Sequence, residues 1–79
     1  MDTARRISSA TELGRALARG RSDAGITQEE MARRLGVDRS YLARLETGRS
    51  TEQLRRIFSY LRELNCEIAL ADRGASNGR

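Results

Sequence analysis

The stretch QEEMARRLGVDRSYLARLET, from Gln28 to Thr47, constrains the fold of this chain more than any other feature. Met31 and Leu35 lie one turn apart on a helix, and Ala32 beside them leaves room for a second helix to cross closely. Gly36 then ends this helix, because glycine adopts the left-handed conformation at little cost. The stretch therefore predicts two short helices separated by a sharp, glycine-dependent turn.

The second of these helices is predicted from Arg39 to Glu46, with Asp38 as its N-cap. Leu42 and Leu45 then point inward, so that polar residues, two arginines among them, occupy the outer face. A helix with such a face suits the major groove of DNA. The two helices together predict a helix-turn-helix, and the alternative is an ordinary helical hairpin with a solvated outer face.

Signals at the helix ends favour the helix-turn-helix over the hairpin. Thr27 and Glu30 have the T-x-x-E spacing of a capping box, which places the start of the first helix. Gly48 follows the second helix as Gly36 follows the first. Caps, glycine stops and apolar periodicity therefore agree on the same pair of helices.

Length and charge set limits on the rest of the molecule. A chain of 79 residues forms one small domain, with little room for a catalytic cavity. Its 15 basic residues are all arginine and outnumber 11 acidic ones, for a net charge of +4. Arginine suits phosphate and guanine edges, although a GC-rich genome produces the same bias. Composition alone thus supports a nucleic-acid partner only modestly.

Residue types that are missing exclude several functions. Cys66 is the single cysteine and there is no histidine, which excludes an intramolecular disulfide and disfavours zinc sites and most acid–base chemistry. The sequence shows no phosphate-binding glycine loop and no cluster of carboxylates on one face. We therefore expect no enzyme and no cofactor. Without an apolar run or the core of a signal peptide, the expected location is the cytoplasm, at the nucleoid, with no membrane partner.

Two further helices complete the predicted domain at residues 9–64. Ser9 and Glu12 form another capping box and open a helix that ends near Ser22, after a polar, loose arm at residues 1–8. Ser50 is the predicted N-cap of a last helix that ends near Leu64. The apolar residues expected to close the core from these two helices are Leu13, Ala16, Leu17, Leu54, Ile57, Phe58 and Leu61.

The end of the chain changes from helical to alternating periodicity. In CEIALA, Cys66, Ile68 and Leu70 fall on one side, which favours a strand at residues 65–72, and a helical extension is the alternative. No second strand is evident in the sequence. Because a lone strand leaves its backbone unpaired, these three residues are the predicted interface of a homodimer with antiparallel pairing. Residues 73–79 are expected to be disordered.

From Leu13 to Phe58 the chain resembles the Xre family of bacterial and phage repressors. The segments that carry the resemblance are GITQEEMA, from Gly25 to Ala32, and LGVDRSYLARLETG, from Leu35 to Gly48. The resemblance implies a mainly α, phage-repressor-like domain of four helices that binds DNA. The ending is similar to that of HipB antitoxins, whose short C-terminal strand pairs across a dimer and whose usual partner is a HipA-type serine/threonine kinase toxin.

The resemblance also implies roles for particular residues. Gln28 corresponds to a glutamine that clamps a phosphate. Members of the family also often pair an arginine near the end of the helix that precedes the helix-turn-helix with a glutamate, and these residues are here Arg21 and Glu46. Tyr41 either touches a thymine methyl or a phosphate, or packs against the first helix. The residues expected to contact DNA, whether at bases or at the backbone, are Gln28, Arg33, Asp38, Arg39, Ser40, Tyr41, Arg44 and Arg49.

These expectations combine into one functional hypothesis with two alternatives. The hypothesis is a repressor that binds an inverted-repeat operator as a homodimer and regulates its own operon as the HipB-like antitoxin of a type II toxin–antitoxin pair. One alternative is a protein-binding module whose main task is to neutralise a HipA-like kinase toxin. The other is a stand-alone repressor of the phage or plasmid type, without a toxin.

Overall fold

Four helices and two short strands make up residues 5–49 and 51–73, the part of the chain that the computed structural model describes. The elements in chain order are β1 (Arg5–Ile7), α1 (Ala10–Asp23), α2 (Gln28–Leu35), α3 (Arg39–Glu46), α4 (Glu52–Glu63) and β2 (Ile68–Leu70). The predicted mainly α fold is confirmed, with α2 and α3 as the helix-turn-helix pair. Both helices of the pair have the predicted bounds.

Local side-chain and backbone signals set the helix ends as the sequence predicts. The Thr27 hydroxyl accepts the Glu30 N–H at 3.0 Å, which caps the start of α2. Gly36 ends the helix with φ 72° and ψ 34°. The N–H of the next residue, Val37, donates to the carbonyl of Ala32 at 3.0 Å, the bond expected when a left-handed residue closes a helix.

One of the predicted caps is wrong, and a second is confirmed in position but makes no side-chain bond. The N-cap of α4 is Thr51, whose hydroxyl accepts the Leu54 N–H at 3.2 Å, and not Ser50, which lies outside the described residues. Asp38 does occupy the N-cap position of α3, with φ −74° and ψ 147°, but its side chain makes no capping hydrogen bond. The start of α3 therefore depends on backbone conformation and packing rather than on this carboxylate.

The C-terminal strand has its mate within the same chain. β1 and β2 pair antiparallel, with Arg5 opposite Leu70 and Ile7 opposite Ile68. The prediction of a loose arm is thus wrong for Arg5–Ile7, and the prediction that β2 has no partner of its own is wrong too. A strand of three residues is too short to show a period of two, so no sequence pattern predicted β1. Residues 1–4 and 74–79 lie outside the described residues, so the expected disorder of the tail is untested there.

The hydrophobic core lies between this sheet, α1 and α4. Ile7, with 1% of its surface exposed, forms a cluster with Ala16 and Phe58. Half-buried residues from α1, α4 and β2 pack against this cluster: Ala10, Leu13, Leu54, Leu61, Ile68 and Leu70. Ile57, predicted to belong to the core, is 44% exposed. The core face of α4 runs through Leu54, Phe58 and Leu61, which places Ile57 at the edge of that face.

Two glycines let α1 cross closely over the end of α3. A Cβ atom on Gly14 would lie 2.7 Å from the carbonyl oxygen of Leu45 and 2.7 Å from the backbone nitrogen of Gly48. Gly48 itself has φ 82°, and a Cβ atom there would lie 2.5 Å from the Cα of Thr11. Only residues without a side chain fit at this crossing, which holds α3 against the scaffold.

Candidate nucleic-acid interface

The outer face of α3 is a solvent-exposed surface of polar and aromatic side chains. Leu42, 3% exposed, anchors the opposite face of the helix in the protein. Tyr41 is 50% exposed, so its ring is not buried against α2. The sequence-predicted residues that are exposed here, together with the neighbouring turns, are Arg33, Asp38, Arg39, Ser40, Tyr41, Arg44 and Arg49. This surface presents hydrogen-bond donors and acceptors of the kinds that read base edges.

Gln28 joins the start of α2 to both ends of α3. Its side-chain amide nitrogen donates to Glu46 Oε1 at 2.9 Å, and its Oε1 accepts from Arg39 Nη1 at 3.2 Å. Both ends of this half-buried amide are thus engaged within the protein. The position of the Arg39 guanidinium is therefore coupled to the carboxylate of Glu46 through one intervening side chain.

The ion pair expected between Arg21 and Glu46 is present and largely shielded from solvent. Arg21 Nε donates to Glu46 Oε2 at 2.7 Å, and Nη2 donates to Oε1 at 2.9 Å. The two side chains are 16% and 7% exposed. Arg21 Nη1 also donates to the Ile26 carbonyl at 2.8 Å, which ties α1 to the turn before α2. This bidentate geometry is the strongest form of an arginine–carboxylate contact.

The same contacts keep both groups charged. Hydrogen bonds from Arg21 lower the pKa of Glu46, against the opposing effect of burial, and Gln28 lowers it further. The hydrogen bond to Glu46 raises the pKa of Arg21. A fixed carboxylate thus lies at the centre of a chain of hydrogen bonds that runs from α1 to the exposed Arg39.

Glu30 engages two arginines at the edge of this surface. Arg34 Nε lies 2.9 Å from one carboxylate oxygen of Glu30, and Arg33 forms an ion pair with the other. The arginines are 56% and 71% exposed, so both pairs are solvent-screened and weak. Arg34 was not among the residues predicted from the sequence to contact DNA. Its position next to Arg33 in the last turn of α2 was the signal that could have identified it.

The three residues predicted at a dimer interface fall into two groups. Cys66 is exposed, and its thiol lies 3.5 Å from the Leu64 carbonyl. Ile68 and Leu70 are half-buried and pack against the core of their own chain. Their side chains are therefore already engaged, and what β2 offers to another molecule is the outer edge of its backbone.

Other kinds of site find no support in the part of the chain that the structure describes. No group of three or more cysteine, aspartate or glutamate side chains there has an arrangement that could hold a metal ion. No described helix combines the length and the apolar character needed to cross a bilayer.

Residues 12–68, well over half of the chain, match the family described as a helix-turn-helix domain. The chain belongs to this helix-turn-helix family. No curated protein and no solved structure matches it. Membership in the helix-turn-helix family indicates DNA binding and transcriptional regulation. A domain of this kind is typical of regulators that are not enzymes. The matched region begins within α1 and ends at the first residue of β2, so β1 lies outside it.

Proposed function

We propose that this helix-turn-helix protein is a sequence-specific transcriptional repressor that binds an inverted-repeat operator as a homodimer. The observation that carries the proposal is the hydrogen-bonded chain that links Arg21, Glu46, Gln28 and Arg39 behind the exposed face of α3. Such a chain supports the first arginine of the recognition helix from a rigid scaffold. Preorganised side chains on a helix are what base-specific recognition needs.

Arg39 and Arg44 are the proposed base-reading residues. Each is exposed on α3, and a guanidinium that donates to both O6 and N7 of guanine contributes about 1–3 kcal/mol of discrimination. Ser40 and Tyr41 lie between them on the same exposed segment and supply a hydroxyl group and an aromatic ring. Asp38, whose carboxylate is free of a capping bond, is suited to accept a hydrogen bond from a cytosine amino group.

Gln28, Arg33 and Arg49 are the proposed contacts to the phosphate backbone. Gln28 is at the N-terminus of α2, where the helix dipole favours anions, and its amide nitrogen has a second hydrogen besides the one donated to Glu46. Arg49 follows Gly48, just after α3. When DNA binds, Arg33 leaves its weak ion pair with Glu30 and contacts a phosphate instead. If the dimer neutralises about 6 to 10 phosphates, affinity falls by roughly 10³ to 10⁵ between low and moderate salt.

Two alanine variants test the division between base and backbone contacts. Footprinting of the promoter upstream of the gene identifies the operator, and gel shifts then compare that operator with random duplex DNA. Arg39→Ala should reduce affinity for the operator far more than for random DNA. Arg49→Ala should reduce both equally. Equal losses on both duplexes for both variants would remove the assigned roles.

The homodimer sets the spacing of the operator. Two recognition helices that enter successive major grooves lie about 34 Å apart, one turn of the duplex, which calls for an inverted repeat. A repressor bound there excludes polymerase. The location that we propose for a protein with such a partner is the cytoplasm, at the nucleoid.

The finer assignment that we propose is the antitoxin of a type II toxin–antitoxin operon. Its support is the likeness of the ending, IFSYLRELNCEIALAD, to that of HipB antitoxins, together with the observed strand β2 in that ending. The proposed protein partner is a HipA-like serine/threonine kinase. Co-expression with the neighbouring reading frame should yield a stable complex and suppress toxicity. A neighbour that encodes no kinase-like protein would favour a stand-alone Xre repressor. DNA binding that is absent without the toxin would favour a mainly toxin-neutralising module.

A further inference from the structure

An apolar stripe lies on the exposed side of α4, next to the face that packs against the core. Ile57, Tyr60 and Leu64 are 44%, 69% and 58% exposed. Their spacing of three and four residues places them in a row along one face of the helix. We refer to these three residues as the α4 outer stripe. Aromatic and branched aliphatic side chains of this size are typical of interface cores rather than of solvated helix faces.

The buried core of a single chain is small, which makes a partner for this stripe energetically valuable. Within residues 5–49 and 51–73, the buried hydrophobic residues are Ile7, Ala16, Ala32, Leu42 and Phe58. Two of the five are alanines. A domain with so little buried apolar surface is marginal by itself, and association is the usual remedy for small chains.

Charges beside the stripe indicate which partner fits. Arg56 and Glu63 are seven residues apart and thus share one flank of the α4 outer stripe. Arg56 contacts Glu52 at 2.6 Å in a pair whose members are 77% and 65% exposed, and Glu63 forms no ion pair among the described residues. The flank therefore carries a basic group towards its start and an unpaired acidic group towards its end.

A second α4 that runs antiparallel to the first complements this flank. In antiparallel packing the same flanks of two helices meet, which brings Arg56 of one copy opposite Glu63 of the other, twice. The same alignment places Ile57 opposite Leu64 and puts Tyr60 near the two-fold axis. In a parallel arrangement opposite flanks meet instead, so Arg56 and Glu63 of the two copies would not face each other.

We propose that the α4 outer stripe is the docking surface for a second copy of this chain, with the two α4 helices antiparallel across a two-fold axis. The inference rests on the proposed function, which requires a homodimer, and it names the face that forms it. The stripe replaces Ile68 and Leu70 as the source of interface side chains. It is self-complementary, as a two-fold interface must be.

Analytical ultracentrifugation of the full chain without DNA tests the stripe. Tyr60→Glu brings two carboxylates together at the axis and should raise the dimer dissociation constant by a factor of about ten or more. Leu35→Glu is the matched control, because Leu35 is 58% exposed but lies on α2. It should leave the dimer constant unchanged. Circular dichroism melts establish that both variants fold. A monomeric wild type, a Tyr60→Glu variant with the wild-type dissociation constant, or equal losses for both variants would overturn the proposal.

A charge exchange tests the antiparallel direction. Arg56→Glu alone and Glu63→Arg alone should each weaken the dimer by about two- to fivefold, because each places like charges opposite one another. The double variant restores the opposite charges and should recover the wild-type constant. Recovery requires the antiparallel pairing, since a parallel pair would gain nothing from the exchange. Failure to recover would overturn the assigned direction.

DNA binding is measured separately so that the two proposals can fail independently. A duplex that holds one half-site should still bind Tyr60→Glu, whereas Arg39→Ala should remain dimeric in the centrifuge. A stripe-dependent dimer that binds no DNA would defeat the proposed function and leave the interface standing. A wild type that dimerises and binds its operator, with a dimer constant that Tyr60→Glu leaves unchanged, would overturn the α4 interface and leave the proposed function standing.

Discussion

The helix pair α2–α3 and the terminal sheet β1–β2 differ in how far along the chain their contacts reach. In the helix pair, caps and the glycine stop act over a few residues. Thr27 accepts a hydrogen bond from the Glu30 N–H, and the backbone at Gly36 bonds the carbonyl of Ala32. The sheet joins opposite ends of the chain, with Arg5 opposite Leu70. The helix pair is locally encoded and carries the surface that we propose contacts DNA, whereas the sheet closes the apolar core that supports it.

The two regions also differ in what links them to the rest of the molecule. Hydrogen bonds from Arg21 and Gln28 to Glu46 tie the helix pair to α1 and order its exposed face. Burial of Ile7 ties the sheet to α1 and α4. Loss of apolar burial should therefore affect stability most, while loss of the polar network should affect DNA recognition as well as stability.

The largest expected effect is at Ile7, which tests whether the sheet closes the core. Ile7→Ala removes a 1% exposed side chain and should lower the free energy of unfolding by about 2–5 kcal/mol. Urea denaturation followed by circular dichroism measures the loss. Arg6→Ala, on the exposed side of the same strand, is the control and should cost at most about 0.5 kcal/mol. Equal, small changes for both variants would mean that β1 does not support the core.

The next effect is at the crossing of α1 over α3. A Cβ atom on Gly14 would lie 2.7 Å from backbone atoms that cannot move aside independently, so Gly14→Ala should cost about 1–3 kcal/mol. Gly20→Ala is made in the same helix, where a Cβ atom would meet nothing within 4 Å. That control should stabilise the protein by about 0.5–1 kcal/mol through helix propensity. Two variants that shift the urea midpoint in the same direction would contradict the close crossing.

A smaller effect concerns the hydrogen bonds of Arg21 and Gln28 to Glu46 and their dependence on pH. Because the folded state lowers the pKa of Glu46, the stabilisation is fully present above the unfolded pKa and is lost as pH falls through the folded value. Urea midpoints measured from pH 7 to pH 3 should therefore fall more steeply for wild type than for Glu46→Gln. At pH 7 the variant should lose about 1–2 kcal/mol. Glu12, whose pKa is lowered mainly by a hydrogen bond from the Ser8 backbone N–H, contributes the same background to both proteins. Parallel pH profiles would rule out the stabilising role of the carboxylate.

The smallest expected change in stability is at Glu30. Glu30→Ala removes two solvent-screened pairs and should change the free energy of unfolding by about 0.5 kcal/mol or less. It also frees Arg33 and Arg34 for phosphates, so affinity for both operator and random DNA should rise, and most at low salt. Gel shifts at two salt concentrations measure this gain. Unchanged or reduced affinity would show that neither arginine contacts the backbone.

The same difference between local and long-range contacts separates the features that could be predicted from the sequence from those that could not. The bounds of α2 and α3, the stop at Gly36 and the pair of Arg21 with Glu46 were all available from spacing or from the Xre resemblance. The hydrogen bond of Gln28 to Arg39 was not, because it joins the starts of two different helices. Nor was the exposure of Ile57, since apolar spacing alone does not tell the core edge of a helix from its centre.

The sequence by itself determined the four helices and the arginine-bearing face of α3, because helix caps, glycine stops and apolar periodicity act within one or two turns. Only the tertiary structure decided that β1 pairs with β2, that Gly14 lies against Gly48, and that Glu46 supports Arg39 through Gln28. Each of these joins residues far apart in the chain. Whether such residues can meet depends on distances between distant parts of the backbone, which no local sequence pattern encodes.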